Sequence, residues 1–182
     1  MKIKADTLLS DLKETTTQLL KKAELLQQKP ISVLNWKGNQ DSWSVLECLE
    51  HLNLYGDFYL VEIEKSIKQA KNPAEPIFKS GMLGNYFAES MLPKAKLNKM
   101  KTFKDKNPIN SKLDKKVIDR FMLQQKQLID LLEKARLISL NTTKTSISIS
   151  KWVKLKLGDT FRFFINHQIR HFKQIENLLK NE

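Results

Sequence analysis

Cysteine is almost missing from this sequence, with Cys48 the only one in 182 residues. No intrachain disulfide can form, so the fold must stand on packing, with or without a metal, as suits a reducing compartment. Long apolar runs are missing as well. Nothing approaches the roughly 20 residues that cross a bilayer, and Asp6 and Asp11 interrupt the opening stretch before it can read as a signal peptide. The expectation is a cytoplasmic protein with no membrane span and no membrane partner. Acidic side chains are few beside basic ones, 20 against 32, giving a formal charge of +12. Such an excess attracts nucleic acid, acidic lipid or anionic metabolites. No motif of a known nucleic-acid-binding fold accompanies it, and Lys-rich surfaces also serve solubility alone, so nucleic acid is not the expected partner. With 41% hydrophobic residues the chain is too apolar for disorder, and its length suits one domain over residues 1–182.

Apolar periodicity outlines four long helices. In the first, Ala5, Leu8, Leu9, Leu12, Thr16, Leu19, Ala23 and Leu26 share one face, and Pro30 closes it. A second begins after Asp41-Ser42-Trp43-Ser44, whose short polar side chains can accept from the free N–H groups of a first turn. Its stripe runs Val45, Cys48, Leu49, Leu52, Tyr55, Tyr59, Ile63 and Ile67, fading before Pro73. Residues 72 to 110 form a long connection whose patch from Met82 to Leu92 predicts a minor helix across the bundle. A connection of that length inside a compact domain points to function. Within it Lys94, Lys96, Lys99, Lys101, Lys104 and Lys106 face only Asp105. Ser111 and Asp114 signal the start of a third helix with Leu113, Val117, Phe121, Leu128, Leu131, Leu132 and Ala135 inward, ending near Leu140. Asn141 to Lys156 alternates as an extended crossover through Ile147 and Ile149, and Gly158-Asp159-Thr160 launches the last helix. That helix turns Phe161, Phe164, Ile165, Gln168, Phe172, Ile175, Leu178 and Leu179 inward. The fold class is all-α, a four-helix bundle with a long connection between helices two and three.

Three histidines carry the functional signal. His167 and His171 are four apart on the last helix and project from one face. His51 lies at the flank of the second helix's apolar stripe, aimed at the seam where a bundle can set it opposite that pair. Three neutral imidazoles hold a divalent transition ion, Zn or Ni first with Fe or Mn as alternatives, while leaving a position open for chemistry. An HxxxH pair also occurs as two ordinary polar residues; the third histidine, with none left over, adds weight to ligation. The pair reads His167-Gln168-Ile169-Arg170-His171, so the HExxH motif of zinc proteases is incomplete and Gln168 cannot serve as a base.

The neighbours of these histidines invite two readings each. Cys48 is a candidate fourth ligand or a small buried hydrophobe. Glu47 and Gln174 are placed to orient an imidazole or to be solvated. Arg170, about 60° off the histidine face, reaches an anionic substrate or pairs with a carboxylate. Trp43 and Trp152 are expected as plugs at the ends of the bundle. No catalytic acid or base can be assigned.

The segments Trp43-Ser44-Val45-Leu46-Glu47-Cys48-Leu49-Glu50-His51-Leu52, Leu157-Gly158-Asp159 and His167-Gln168-Ile169-Arg170-His171-Phe172-Lys173-Gln174-Ile175 resemble the DinB/YfiT-like family of metalloenzymes. The resemblance implies an up-down-down-up bundle with metal ligands at His51, His167 and His171. It also implies thiol S-transfer from a low-molecular-weight thiol as one possible activity, and homodimers. A metal-dependent transferase or hydrolase acting on a small substrate, such as an anionic thiol, is the leading expectation. The alternative is a non-catalytic, metal-stabilised helical protein whose basic surface meets an acidic partner. Ligation by histidine further predicts metal loss as pH drops through about 6, where free imidazole protonates.

Overall fold

A computed structural model describes residues 1–93, 102–148 and 150–180. The chain is mostly helical. Its elements run β1 (Lys2–Lys4), α1 (Ala5–Gln27), α2 (Ile31–Asn35), α3 (Val45–Lys68), β2 (Ile77–Lys79), α4 (Met82–Ser90), α5 (Lys116–Lys134), β3 (Lys144–Ile147), β4 (Ser150–Lys156) and α6 (Leu157–Lys180). The four long helices pack in a closed circuit, α1 and α3 each lying against both α5 and α6.

Each long helix buries the face that its sequence marks. On α1 the buried residues are Leu8, Leu9, Leu12, Thr16, Leu19, Ala23 and Leu26. The start of α3 is fixed by a reciprocal cap. Ser44 Oγ accepts from the Glu47 N–H at 3.2 Å, and Glu47 Oε2 accepts from the Ser44 N–H at 2.8 Å, an arrangement worth about 1 kcal/mol. The α5 helix departs most from expectation. It begins at Lys116 rather than near Ser111, because Asp114 accepts from the Lys116 N–H in a tight turn that delays the helix. It gives way at Ala135 to a 3-10 turn instead of continuing to Leu140.

The core is divided in two along the long helices. One cluster gathers Leu8, Leu9, Leu12, Tyr59, Ile63, Leu128, Leu131, Phe161 and Phe164. The other gathers Leu19, Ala23, Leu26, Leu46, Leu49, Leu52, Ile118, Phe121, Phe172 and Ile175. At the junction every long helix contributes buried polar side chains: Thr16 from α1, His51 from α3, Gln124 and Gln125 from α5, and His167, Gln168 and His171 from α6. Polar groups are costly inside a core unless hydrogen-bonded; Thr16 donates to the Leu12 carbonyl and Gln124 to the Asn53 carbonyl, whereas Gln125 Oε1, Gln168 Oε1 and His167 Nδ1 are buried with no hydrogen-bond partner among the described residues.

Four short strands add what the all-α expectation lacks. β1 pairs antiparallel with β2, and β3 with β4. The segment expected as an extended crossover is extended but folds into a hairpin, with a break in register after Ser146; Ile149 lies outside the described residues. Gly84 permits α4 to close on α6, since a Cβ there would sit 2.6 Å from that of the buried Asp159. Asp159 accepts from Ser80 Oγ and from the Gly81 N–H, and pairs with Arg162, tying the entry of α4 to the first turn of α6. This is the work of the Gly158-Asp159 pair, whose glycine lets Phe78 approach within 2.7 Å of a would-be Cβ.

The long connection between α3 and α5 contains β2, α4 and a 3-10 turn, Lys104–Lys106. Lys94, Lys96, Lys99 and Lys101 lie outside the described residues. No described helix is long and apolar enough to cross a membrane.

Candidate metal centre

His51 on α3 and His167 and His171 on α6 meet inside the circuit of helices, each less than a tenth exposed. One ring nitrogen from each lies within 4.8 Å of the others. The Nε2 atom of His167 is 3.1 Å from Nε2 of His51 and 3.1 Å from Nε2 of His171. Two nitrogens at about 2.0–2.1 Å from one ion sit about 2.9 Å apart at a right angle and about 3.4 Å apart at the tetrahedral angle, and the observed 3.1 Å falls between.

The outer nitrogens decide what the inner ones present. His51 Nδ1 is 2.7 Å from the Lys106 carbonyl oxygen. A carbonyl only accepts, so the proton of neutral His51 is on Nδ1 and its Nε2 offers a lone pair. The same logic holds at His171, whose Nδ1 donates to Gln174 Oε1 at 3.1 Å. His167 Nε2 can donate to one of these lone pairs but not to both, which leaves the other lone pair 3.1 Å from that nitrogen with no proton to accept. His167 Nδ1 is itself buried with no hydrogen-bond partner among the described residues. A cation at the point of convergence satisfies all three inner lone pairs together, so the donor set fits a divalent transition ion, and the carbonyl and amide behind it are the oxygen partners that metal-bound imidazoles use.

Electrostatics favour the neutral, ligating form. Burial pushes the His51 imidazolium pKa down to about 4, with the Lys106 charge adding to the effect against the hydrogen bond from its carbonyl. Burial, followed by charge repulsion from His171, His51 and Arg170, holds His167 well below the usual histidine range, and burial with repulsion from His51 and Arg170 does the same for His171 against the hydrogen bond to Gln174. Proton competition therefore sets in at lower pH than the value near 6 expected from a free imidazole.

Aromatic rings wall the site. Trp43 lies 4.6 Å from His51 and stacks at 5.7 Å on His171. Tyr55 is 4.7 Å from His167, and Phe163 stacks on the same ring at 6.3 Å. Trp43 is thus part of the site and not a plug, and its indole N–H is held by Asn107 Oδ1 at 3.1 Å. Its place two residues ahead of the helix, on the His51 side of the first turn, was the signal that sequence reasoning passed over. Trp152 is 95% exposed and plugs nothing.

Three bonds fasten the end of the long connection over this wall: Lys106 O to His51, Asn107 Oδ1 to Trp43, and the Asn110 N–H to Glu47 Oε1 at 2.5 Å. Lys37 Nζ also reaches Glu47 Oε1, at 2.7 Å. Glu47 therefore orients no imidazole; its carboxylate is consumed by the helix cap and this anchor. Lys106, missed as a site residue because a backbone carbonyl leaves no trace in sequence, also carries its ammonium to 6.0 Å from the Tyr55 ring. Cys48 packs fully buried in the second core cluster, and burial raises its thiol far above the usual range, with Glu47 adding to the shift. The donor atoms that converge are those of the three histidines, and Cys48 is not among them. Arg170 is buried on α6 rather than standing at a rim.

A fold of mostly long helices around a buried three-histidine cluster defines a candidate metal-binding helical protein. The family model of the DinB superfamily matches residues 11–175. The chain belongs to the DinB superfamily. No curated protein and no solved structure matches it.

Proposed function

We propose that the protein is a four-helix-bundle metalloenzyme of the DinB superfamily in which His51, His167 and His171 hold one divalent transition ion through Nε2, with Zn or Ni ahead of Fe or Mn. The observation that carries this reading is the pair of outward N–H bonds, His51 to Lys106 and His171 to Gln174, which turn two lone pairs toward a third imidazole. When bound, such an ion supplies Lewis acidity that lowers the pKa of a thiol or water at neutral pH.

The chain's own side chains have definable parts in the reaction we favour, transfer of a low-molecular-weight thiol to an electrophile. Lys106 and Gln174 fix the tautomers of two rings. Trp43, Tyr55 and Phe163 exclude bulk water, which strengthens every charge interaction within. The Lys106 ammonium, 19% exposed along its side chain and only loosely paired with Asp105 at 3.5 Å, attracts an anionic thiol toward the cluster.

Incubating metal-loaded protein with a small anionic thiol and an electrophile tests the reading. Thioether formation that disappears in His171→Ala supports it. Absence of turnover across several thiols, with metal fully bound, would favour the second reading, a non-catalytic protein whose metal is structural.

A further inference from the structure

The net charge of +12 plays no part in the metal site, and the structure concentrates part of it on one face. β1–β2 and β3–β4 lie side by side, joined where Lys156 Nζ donates to the Lys79 carbonyl at 2.7 Å and where the Lys79 N–H donates to Asn141 Oδ1 at 2.9 Å. Their inward faces carry Phe78, Thr145 and Leu155, all buried. Their outward faces carry lysine opposite lysine: Lys2 is the cross-strand partner of Lys79, and Lys144 the partner of Lys156. Lys4 and Lys154 extend the row and are exposed.

Like charges directly opposite on a ladder destabilise it, and in these two pairs Lys156 returns part of that cost through its bond to the Lys79 carbonyl. No ion pair within the described residues relieves them; the salt bridges of this protein involve other lysines and the arginines. The Glu75 carboxylate, which accepts from Asn141 and Ser139, offsets Lys156 and Lys79 in part and leaves Lys2, Lys4, Lys144 and Lys154 without an acidic partner within salt-bridge distance among the described residues. Two large apolar side chains stand out from the same region. Trp152, two residues along β4 from Lys154, is 95% exposed, and Met82, following the Gly81 that borders the Lys156 side chain, is 92% exposed.

We propose that this face docks the protein on an anionic lipid surface, its lysines set against headgroup phosphates and Trp152 and Met82 entering the interfacial layer. Charge complementarity names an anionic occupant. Protruding Trp and Met beside lysine suit the boundary between headgroup and acyl chain, where amphipathic rings settle. Single-stranded nucleic acid is the weaker fit, since it is held in charged grooves lined with several aromatic platforms. Here a single exposed aromatic ring, Trp152, accompanies the lysines.

The test is co-sedimentation of the protein, as purified, with vesicles of phosphatidylcholine alone or with about one-third phosphatidylglycerol. Binding is expected only to the anionic vesicles and should fade with salt. At about 1 kcal/mol per surface charge, a Lys→Glu reversal weakens partitioning by roughly 30-fold, so Lys79→Glu and Lys144→Glu should each do so, and Trp152→Ala should weaken it as well. All three side chains are exposed, so thermal midpoints should hold within a few degrees while binding falls. Absence of sedimentation with anionic vesicles at low salt overturns the proposal, as does undiminished sedimentation of the doubly reversed variant. Displacement from the vesicles by a single-stranded oligonucleotide whose own binding depends on the same lysines would also overturn it and assign the face to nucleic acid.

Discussion

Replacing Gln174 by leucine isolates the claim that the residues behind the imidazoles prepare the centre for metal. In the native protein Gln174 Oε1 accepts the His171 Nδ1 proton at 3.1 Å, which commits Nε2 to act as an acceptor. Leucine keeps the volume and removes the acceptor. The metal-free variant then moves the proton to Nε2, where the His167 ring 3.1 Å away can receive it. Metal binding must reverse that shift and leave Nδ1–H unpaired beside an apolar side chain in a ring only 8% exposed. An unpaired buried donor costs about 1–3 kcal/mol, which converts to roughly 5- to 150-fold weaker binding, in line with the losses seen when such partners are removed elsewhere. Competition against a chromophoric chelator measures this directly. An affinity equal to wild type would refute the tautomer argument, even if metal still binds.

Two further outcomes follow from the same geometry. Because the folded-state pKa of His51 is lowered to about 4 from an unfolded value near 6.5, the unfolded chain binds more protons between these limits. Metal-free protein should therefore lose stability as pH falls from about 6.5 to 4, by on the order of 3 kcal/mol from His51 alone, seen as a falling denaturant midpoint. A flat profile across that window would contradict burial of neutral imidazoles. Glu47→Ala removes the carboxylate half of the cap on α3, the acceptor for the Ser44 N–H, together with the acceptor for Lys37 and the Asn110 N–H, and a loss of about 2–4 kcal/mol in urea unfolding is expected; a loss below about 0.5 kcal/mol would show that the connection is not anchored there.

Much of this was legible in sequence because it rests on local rules. The stripes on α1, α3 and α6 alternate with helical period, and the buried residues of α1 match its stripe from Leu8 to Leu26. The convergence of the three histidines was legible for a related reason: His167 and His171 are one helical turn apart, and His51 sits beside an inward stripe, so closing the bundle brings the rings together. What was illegible depends on partners distant in sequence. Nothing near His51 announces that the Lys106 carbonyl will meet it, since that bond spans 55 positions and uses the backbone. Glu47 looked equally able to serve the imidazole or the helix cap, and the choice was made by Lys37 and Asn110, which arrive from other segments. Trp43 and Trp152 had the same sequence context, each just ahead of a long helix, yet one covers the cluster and the other stands in solvent because β4 carries Trp152 away from the bundle.

Elemental analysis of protein purified without a histidine tag, after dialysis at neutral pH, tests the central claim most directly. The account predicts close to one divalent transition ion per chain, retained at pH 5 and lost in His51→Ala and His171→Ala variants that still fold. Protein free of transition metal that also fails to take up Zn or Ni on titration, or alanine variants that hold the ion as well as wild type, would contradict it.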